Sequence, residues 1–417
     1  MPLLPHSREL LPDLIDLRRR LHRVPELGLH LPETQALVLE ALDGLDLEIT
    51  LGTATTSVTA VLRGGKPGPT VLLRGDMDAL PIVEQTGLDF AADNGNMHSC
   101  GHDLHVAGLV GAVRLLHERR SELAGDVVFL FQPGEEGFAG ARVMIEEGAL
   151  EASGSLPIAA YGIHVTTGTR GVFATRPGTI MAGANHVTIT VNGAGGHGSL
   201  PSRAHDPVPA VAEIVTALNV MVTRRFSVFD PVVVTVTKLS AGAAFNVIPD
   251  SASLGATVRN LSLESLAVLQ EEIARLANSI AEAHGCTAHV DFEVVYPVTV
   301  NDADRTATTV DVLRTLFGDD RVEHMEFPLM GSEDFSFVLE RVPGTFVFLH
   351  ASPDGVDAET APGNHSPRVL FDDDVLADAA AALASLALAA LGTEPDAGGA
   401  SGRNAQVASD SASGDRP

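Results

Sequence analysis

The hydrophobic pattern changes period twice along this chain, and that double change limits the available folds more than any other feature. Residues 126–132 (DVVFLFQ) are a continuous apolar run of strand length, stopped by Pro133-Gly134, as expected of a strand buried on both faces. Residues 70–74 form a shorter run of the same kind, entered from the turn cluster Gly64-Gly65-Lys66-Pro67-Gly68-Pro69. Apolar residues recur at helical spacing over 8–23 (Leu10, Leu14, Leu17, Leu21) and again over 105–120. Buried strands alternating with helices predict an α/β layered sheet. From about Asn185 strict polar/apolar alternation takes over, at 185–193 (NHVTITVNG), 231–239 (PVVVTVTKL) and 251–260 (SASLGATVRN), with helical stretches at 207–224 and 262–284. About four such strands and two helices make an α+β unit whose sheet has one solvated face. After about Val295 the first texture returns, through TFVFLH at 345–350 to an Ala/Leu helix ending near Leu391. The reading is a discontinuous α/β domain, residues 1–183 and 295–392, interrupted by an inserted unit at 184–294. Residues 393–417, rich in Gly, Ala, Ser and Asp without periodicity, are expected to be a disordered tail.

Charge narrows the partners. Lys+Arg total 27 against 54 Asp+Glu, a formal net charge of −27, so a nucleic acid would be repelled unless a basic cluster offset the balance. The longest basic runs, Arg18-Arg19-Arg20 and Arg119-Arg120, are instead interleaved with leucines at helical spacing. Two cysteines, Cys100 and Cys286, build no disulfide framework. Glu9, Asp13 and Asp16 break the N-terminal leucines, unlike a signal peptide, and no segment reaches the ~18–20 apolar residues of a membrane span. The expectation is a cytoplasmic protein with neither nucleic-acid nor membrane partners.

The densest chemistry lies in Met97-His98-Ser99-Cys100-Gly101-His102-Asp103-Leu104-His105. Cys100 and His102 flank a glycine, so a non-helical turn can aim both into one site, where thiolate and imidazole suit Zn²⁺ or a similar transition metal. The bland alternative is a loop with a chance histidine cluster and a small buried cysteine. Glu135 and Glu136 directly follow the 126–132 strand, at the end where open α/β sheets place their sites. Adjacent side chains diverge, so one carboxylate can bind metal while the other faces substrate as a general base; alone, the pair reads as an acidic turn. Asp76 and Asp78 follow the 70–74 strand, and either ligate a metal, orient a metal-bound histidine or are solvated turn residues. His164 follows the apolar stretch 158–163, His365 sits in the turn PGNHSP (362–367), and His197 lies in the glycine-rich GAGGHGS (193–199), where backbone and ligand can approach closely.

With those residues in view, the sequence resembles the aminoacylase and carboxypeptidase family of two-metal peptidases. It is most similar to the family's amidohydrolase branch of hippurate hydrolases, N-acyl-amino-acid amidohydrolases and plant auxin-conjugate hydrolases. The ordered blocks are RLHRVPELG (20–28), GDMDALPI (75–82), MHSCGHDLHVAGLVGA (97–112), FQPGEEGFAGA (131–141) and GIHV (162–165). They continue with GGHGSLPSRAHDPV (195–208), FNVIPDSASLGATVRN (245–260), GSEDFSF (331–337) and NHSPRVLFDDD (364–374). The resemblance implies a discontinuous zinc-peptidase-like catalytic domain with an inserted ferredoxin-like lid and dimerisation domain. It implies two divalent ions (Zn, Mn, Co or Ni) held by Cys100, His102, Glu136, His164 and His365, with Cys100 bridging where related branches have aspartate. Glu135 matches the general base, and His197 the histidine that reaches a partner subunit's site. Asn246 and Arg259 match substrate contacts to a free carboxylate, and Asp76 and Asp78 stand as supports behind the ligands. The implied substrate is an N-acyl-L-amino acid and the implied assembly a homodimer or a dimer of dimers. Two alternatives are a dipeptidase or carboxypeptidase on short peptides, and an inactive metal- or ligand-binding homologue. Ser99 stands where alanine is usual, Val165-Thr166-Thr167-Gly168 lacks the branch's aromatic-Pro, and Ser202-Arg203 replace a frequent histidine after Pro201; these departures touch specificity.

Overall fold

A computed structural model describes residues 2–356 and 360–392. The expected disordered tail, 393–417, lies outside the described residues. The helices are α1 (Leu3–His22), α2 (Pro32–Leu42), α3 (His102–Glu118), α4 (Gly140–Glu146), α5 (Pro207–Arg225), α6 (Leu263–Ala283), α7 (Ala303–Phe317), α8 (Ser336–Leu339) and α9 (Val375–Ala390). Strands β1 to β6 are Glu48–Leu51, Val58–Leu62, Lys66–Asp76, Ala124–Gln132, Ala159–Thr166 and Phe173–Thr175. Strands β7 to β11 are Gly178–Met181, Gly183–Asn192, Gly196–His197, Val233–Ala241 and Val247–Ile248. Strands β12 to β16 are Ser251–Asn260, Thr287–Tyr296, Thr299–Asn301, Val322–His324 and Gly344–His350.

Eight strands form one mixed sheet in the order β1-β2-β4-β3-β5-β16-β6-β15. Its centre is parallel: β3 pairs with β4 on one side and β5 on the other, and β5 pairs with β16. The chain therefore steps outward from β3 to β4, then crosses back over β3 to β5, which makes the end of β3 a switch point. Parallel pairing carries the carboxyl ends to one edge, with Asp76 level with Gln132. Helices α1, α3 and α9 pack together on one face. The Ala/Leu composition of α9 follows from its position: residues 375–388 are all buried, and a Cβ on Gly111 of α3 would lie 2.6 Å from that of Ala380. Small residues are what allow two helices this close. A second apolar layer, including Met144, Phe335 and Phe346, covers the opposite face.

The alternating segments form a separate four-stranded antiparallel sheet in the order β10-β12-β8-β13. Val187, Ile189 and Val191 of β8 face α5 and α6, while His186, Thr188 and Thr190 face away. Helices α5 and α6 begin at Asp206 and Ser262, whose side chains accept the N–H of Val208 and Ser265.

Two local expectations change. The helix read at 105–120 starts at His102, because Gly101 turns the chain at φ 83°. A Cβ on Gly101 would stand 2.3 Å from Val165 Cγ2. His164 lies inside β5 rather than beyond it, since Val165 and Thr166 continue the pairing to Leu349 and His350 of β16.

Candidate metal centre and active-site cleft

Five chain segments meet at the carboxyl edge of the large sheet. Strand β3 delivers Asp76 and Asp78, the turn into α3 delivers Cys100 and His102, and the loop after β4 delivers Glu135 and Glu136. Strand β5 supplies His164. His365 comes from the loop before α9 and holds φ 68°, a backbone region that a non-glycine residue enters at a cost of about 1–3 kcal/mol. Hydrogen bonds fix that loop: His365 N–H donates to Ser99 O (3.0 Å), and Asn364 Nδ2 donates to Val165 O (3.0 Å).

Two donor groups share the Cys100 sulfur, one with His102 and His164 and the other with Glu136 and His365; within each, the ligand atoms lie within 4.8 Å of one another. Cys100 Sγ stands 3.5 Å from His164 Nε2 and 3.3 Å from His365 Nε2, whose Nε2 is 3.2 Å from Glu136 Oε1. The His102 ring is fully buried, and neither nitrogen has a hydrogen-bond partner among the described residues. Buried polar atoms are normally satisfied. A thiol, three imidazoles and a carboxylate converging with orphaned atoms fit a pair of divalent cations.

Supporting contacts orient the donors. Asp78 accepts the backbone N–H groups of Glu135 and Glu136, both at 3.0 Å, and its Oδ1 lies 3.4 Å from His102 Nδ1. Asp76 accepts from Arg74 Nη1 (2.6 Å) and His105 Nδ1 (2.5 Å). His105 accepts the Val165 N–H on its other nitrogen at 2.8 Å. Both its nitrogens are engaged, so this buried imidazole ties β3, α3 and β5 together. Tyr296 donates to the Glu135 carbonyl and accepts the Gly137 N–H at 2.8 Å, bracing the glutamate loop.

Beneath the donors lies a buried ionic network. The Arg74 guanidinium donates to Gln132 Oε1, Asp76 Oδ2, Glu333 Oε1 and Asp334 Oδ1 at 2.6–2.9 Å. Burial, together with the negative charges of Glu333, Glu136 and Asp334, pushes the Glu135 carboxyl well above the usual carboxylate range. Glu136 goes the other way: burial opposes it, but the His365 hydrogen bond and the His102 charge hold it below its ordinary value.

The donors open into a cleft of about 550 Å³ that Glu135, Glu333 and Arg259 also line, with Met181, Leu329 and Phe348 as an apolar wall. Arg259 on β12 donates to Thr257 Oγ1 (2.7 Å) and Val258 O (3.2 Å) and forms no ion pair with any described carboxylate. The remaining two sequence-derived candidates lie elsewhere: His197 and Asn246 are exposed, and neither lines this cleft in the same chain. His197 accepts from Ser199, and the Gly198 N–H donates to the Asn246 carbonyl at 2.8 Å.

Sequence reasoning missed Arg74, Gln132, His105, Glu333, Asp334 and Tyr296 as parts of the site. His105 stands three positions after His102 on the same helix face, a readable hint. Glu333 and Asp334 lie in the GSEDFSF block, where nothing local separates a site residue from an acidic turn.

Donor groups that share a sulfur beside a buried, raised-pKa glutamate, at the switch-point edge of a parallel sheet, define a metal-dependent hydrolase acting on amide bonds. More specifically, the chain belongs to peptidase family M20/M25/M40, whose model matches residues 72–389. It is 38% identical over 91% of its length to thermostable carboxypeptidase 1 of Saccharolobus solfataricus, covering 96% of that protein. It is 35% identical over 93% of its length to hippurate hydrolase of Campylobacter jejuni, covering 99% of that chain. Among solved structures it is similar to the YXEP protein of Bacillus subtilis, a dinuclear metal binding peptidase. That similarity has a TM-score of 0.78 at 32% identity over 93% of this chain and 99% of the other.

Proposed function

We propose that the protein hydrolyses the amide bond of N-acyl-L-amino acids, releasing a carboxylate and a free amino acid. Cys100, His102, Glu136, His164 and His365 would hold two divalent ions of the Zn, Mn, Co or Ni class, with Asp76 and Asp78 orienting the donors. The observation that carries this reading is the Cys100 sulfur common to two donor groups, next to a Glu135 that neither of those groups needs. When bound, such ions lower the pKa of a water and polarise the scissile carbonyl.

The chain's own residues do the rest. Glu135 takes a proton from the attacking water and delivers it to the amide nitrogen as the C–N bond breaks; its raised pKa matches this exchange. Arg259, which lines the cleft without an ion pair to any described carboxylate, offers a fork for the substrate carboxylate, and Asn246 would assist it. His197, exposed on the inserted unit, acts on the oxyanion of a second copy's site, and residues 184–294 serve as lid and dimer contact. The working assembly is then a homodimer or a dimer of such dimers. A cytoplasmic location belongs to the same proposal, and no described helix is long and apolar enough to cross a membrane.

Similarity to a carboxypeptidase favours one second reading, cleavage of short peptides. A panel of N-acetyl- and N-benzoyl-amino acids against Gly-Xaa dipeptides, run on protein loaded with Mn²⁺, Co²⁺, Zn²⁺ or Ni²⁺, separates the two. Faster release from the acyl amino acids supports the proposal, faster dipeptide cleavage the second reading, and no release from either sinks both.

A further inference from the structure

Glu333 has a place in the cleft that the reading above leaves unused. It sits between β15 and α8, buried to 1% exposure, yet lines the cleft together with Glu135. Its Oε1 accepts from Arg74 Nη2 (2.8 Å) and the Phe335 N–H (2.9 Å), and Thr299 Oγ1 donates to its carbonyl. These contacts fix the backbone and one oxygen, and no described residue hydrogen-bonds Oε2. One carboxylate oxygen from each of Glu135, Glu333 and Asp334 lies within 4.8 Å of those of the other two. Arg74, the balancing cation, does not line the cleft; it lies behind, shared among Asp76, Glu333 and Asp334. Glu135 and Glu333 therefore line the cleft together, and Arg74 is not among the residues that line it.

Amide hydrolysis generates a cation at one atom only. As the C–N bond breaks, its electron pair stays on nitrogen, which takes the water's first proton from Glu135. The second proton leaves the newly formed carboxylic acid, so the products are a carboxylate and an ammonium. We propose that Glu333 is a further catalytic residue: its free Oε2 accepts an N–H of the leaving amine and, with Glu135, forms the pocket that receives the amino acid as an ammonium. This rests on the amide-hydrolase reading. It makes the amine side of the cleft selective for a nitrogen that can become charged, a discrimination expected to be large because a charged hydrogen bond is at stake.

The test is product inhibition of the metal-loaded protein. The inhibitors are the amino acid of the fastest-cleaved N-acetyl substrate and the 2-hydroxy acid with the same side chain. Wild type should bind the amino acid roughly tenfold or more tightly than the hydroxy acid. Glu333→Gln, which keeps an acceptor for Arg74, should lose that preference while its hydroxy-acid inhibition stays within about twofold of wild type; Glu333→Asp should keep part of it. Equal inhibition by both compounds in wild type overturns the proposal, even if the glutamine variant does not fold. So does a Glu333→Gln protein with wild-type metal content, thermal midpoint and full preference. In either case continued hydrolysis of N-acyl amino acids shows that only the role of Glu333 has failed, whereas absence of hydrolysis in wild type removes the underlying reading.

Discussion

Cys100 Sγ and His365 Nε2 lie 3.3 Å apart although 265 positions separate them in the chain. The sulfur belongs to both donor groups, so its loss should differ in kind from the loss of any other ligand. Cys100→Ala is expected to abolish retention of both ions, while His365→Ala, which contributes to one group, should leave about one ion per chain. Elemental analysis after gel filtration reads the stoichiometry, and equal metal content in the two variants would contradict the shared-sulfur assignment.

Glu135 supports a prediction of the opposite sign for metal content. Glu135→Gln should retain wild-type metal and lose roughly 10²–10⁴ of kcat, the range of general-base catalysis. In the wild type the base works only when ionised. Because burial and the neighbouring acids raise its pKa, kcat/KM should fall as pH drops through a value above the ordinary carboxylate range of about 4.3. A flat acid limb would remove Glu135 from the role.

Arg74 tests the ionic network below the cleft. Arg74→Met leaves Asp76, Glu333 and Asp334 buried without their common partner. Removing one member of a buried pair costs about 3–5 kcal/mol, so the denaturant midpoint should fall by that equivalent. A shift below 1 kcal/mol would show that the acids take up protons from solvent and no longer need the cation.

Ions held by the folded chain alone must also stabilise it. At a free-ion concentration about one hundred times the dissociation constant the gain is about 2.7 kcal/mol. Chelation should therefore lower the thermal midpoint, and re-addition of metal should restore it in a concentration-dependent way. A midpoint indifferent to chelator would mean that no ion is held in the native state.

His197 lies outside the cleft of its own chain, and its proposed action on a second copy is open to complementation. Mixing inactive His197→Ala with inactive Glu135→Gln subunits should restore partial activity through the hybrid site that is intact in both. Persistent inactivity after subunit exchange has been shown by mass spectrometry would restrict His197 to a local role with Ser199.

Local chemistry made part of the site readable in one dimension. Cys100 and His102 stand two apart around a glycine, and Glu135 and Glu136 follow an apolar strand closed by Pro133-Gly134. The four-stranded antiparallel sheet was equally legible, because its period-2 strands differ in kind from the two-face-buried β3, β4 and β16. The Arg74 network was not: Arg74 lies 259 and 260 positions from Glu333 and Asp334, and no short pattern links them. Nor does sequence reveal that the Val165 N–H occupies the His105 lone pair, or that β16 pairing draws His164 inside β5.

Residue type, spacing and hydrophobic period, all properties of a few neighbouring positions, marked by themselves the candidate metal-binding and acid–base side chains and the segments that become strand or helix. Which of them meet was decided only in three dimensions. Parallel pairing of β3 with β4 and β5 brings separate strand ends to one edge, and the loop holding His365 and the turn holding Glu333 close over that edge. That convergence depends on crossover connections and core packing summed over the whole chain, which no local stretch encodes.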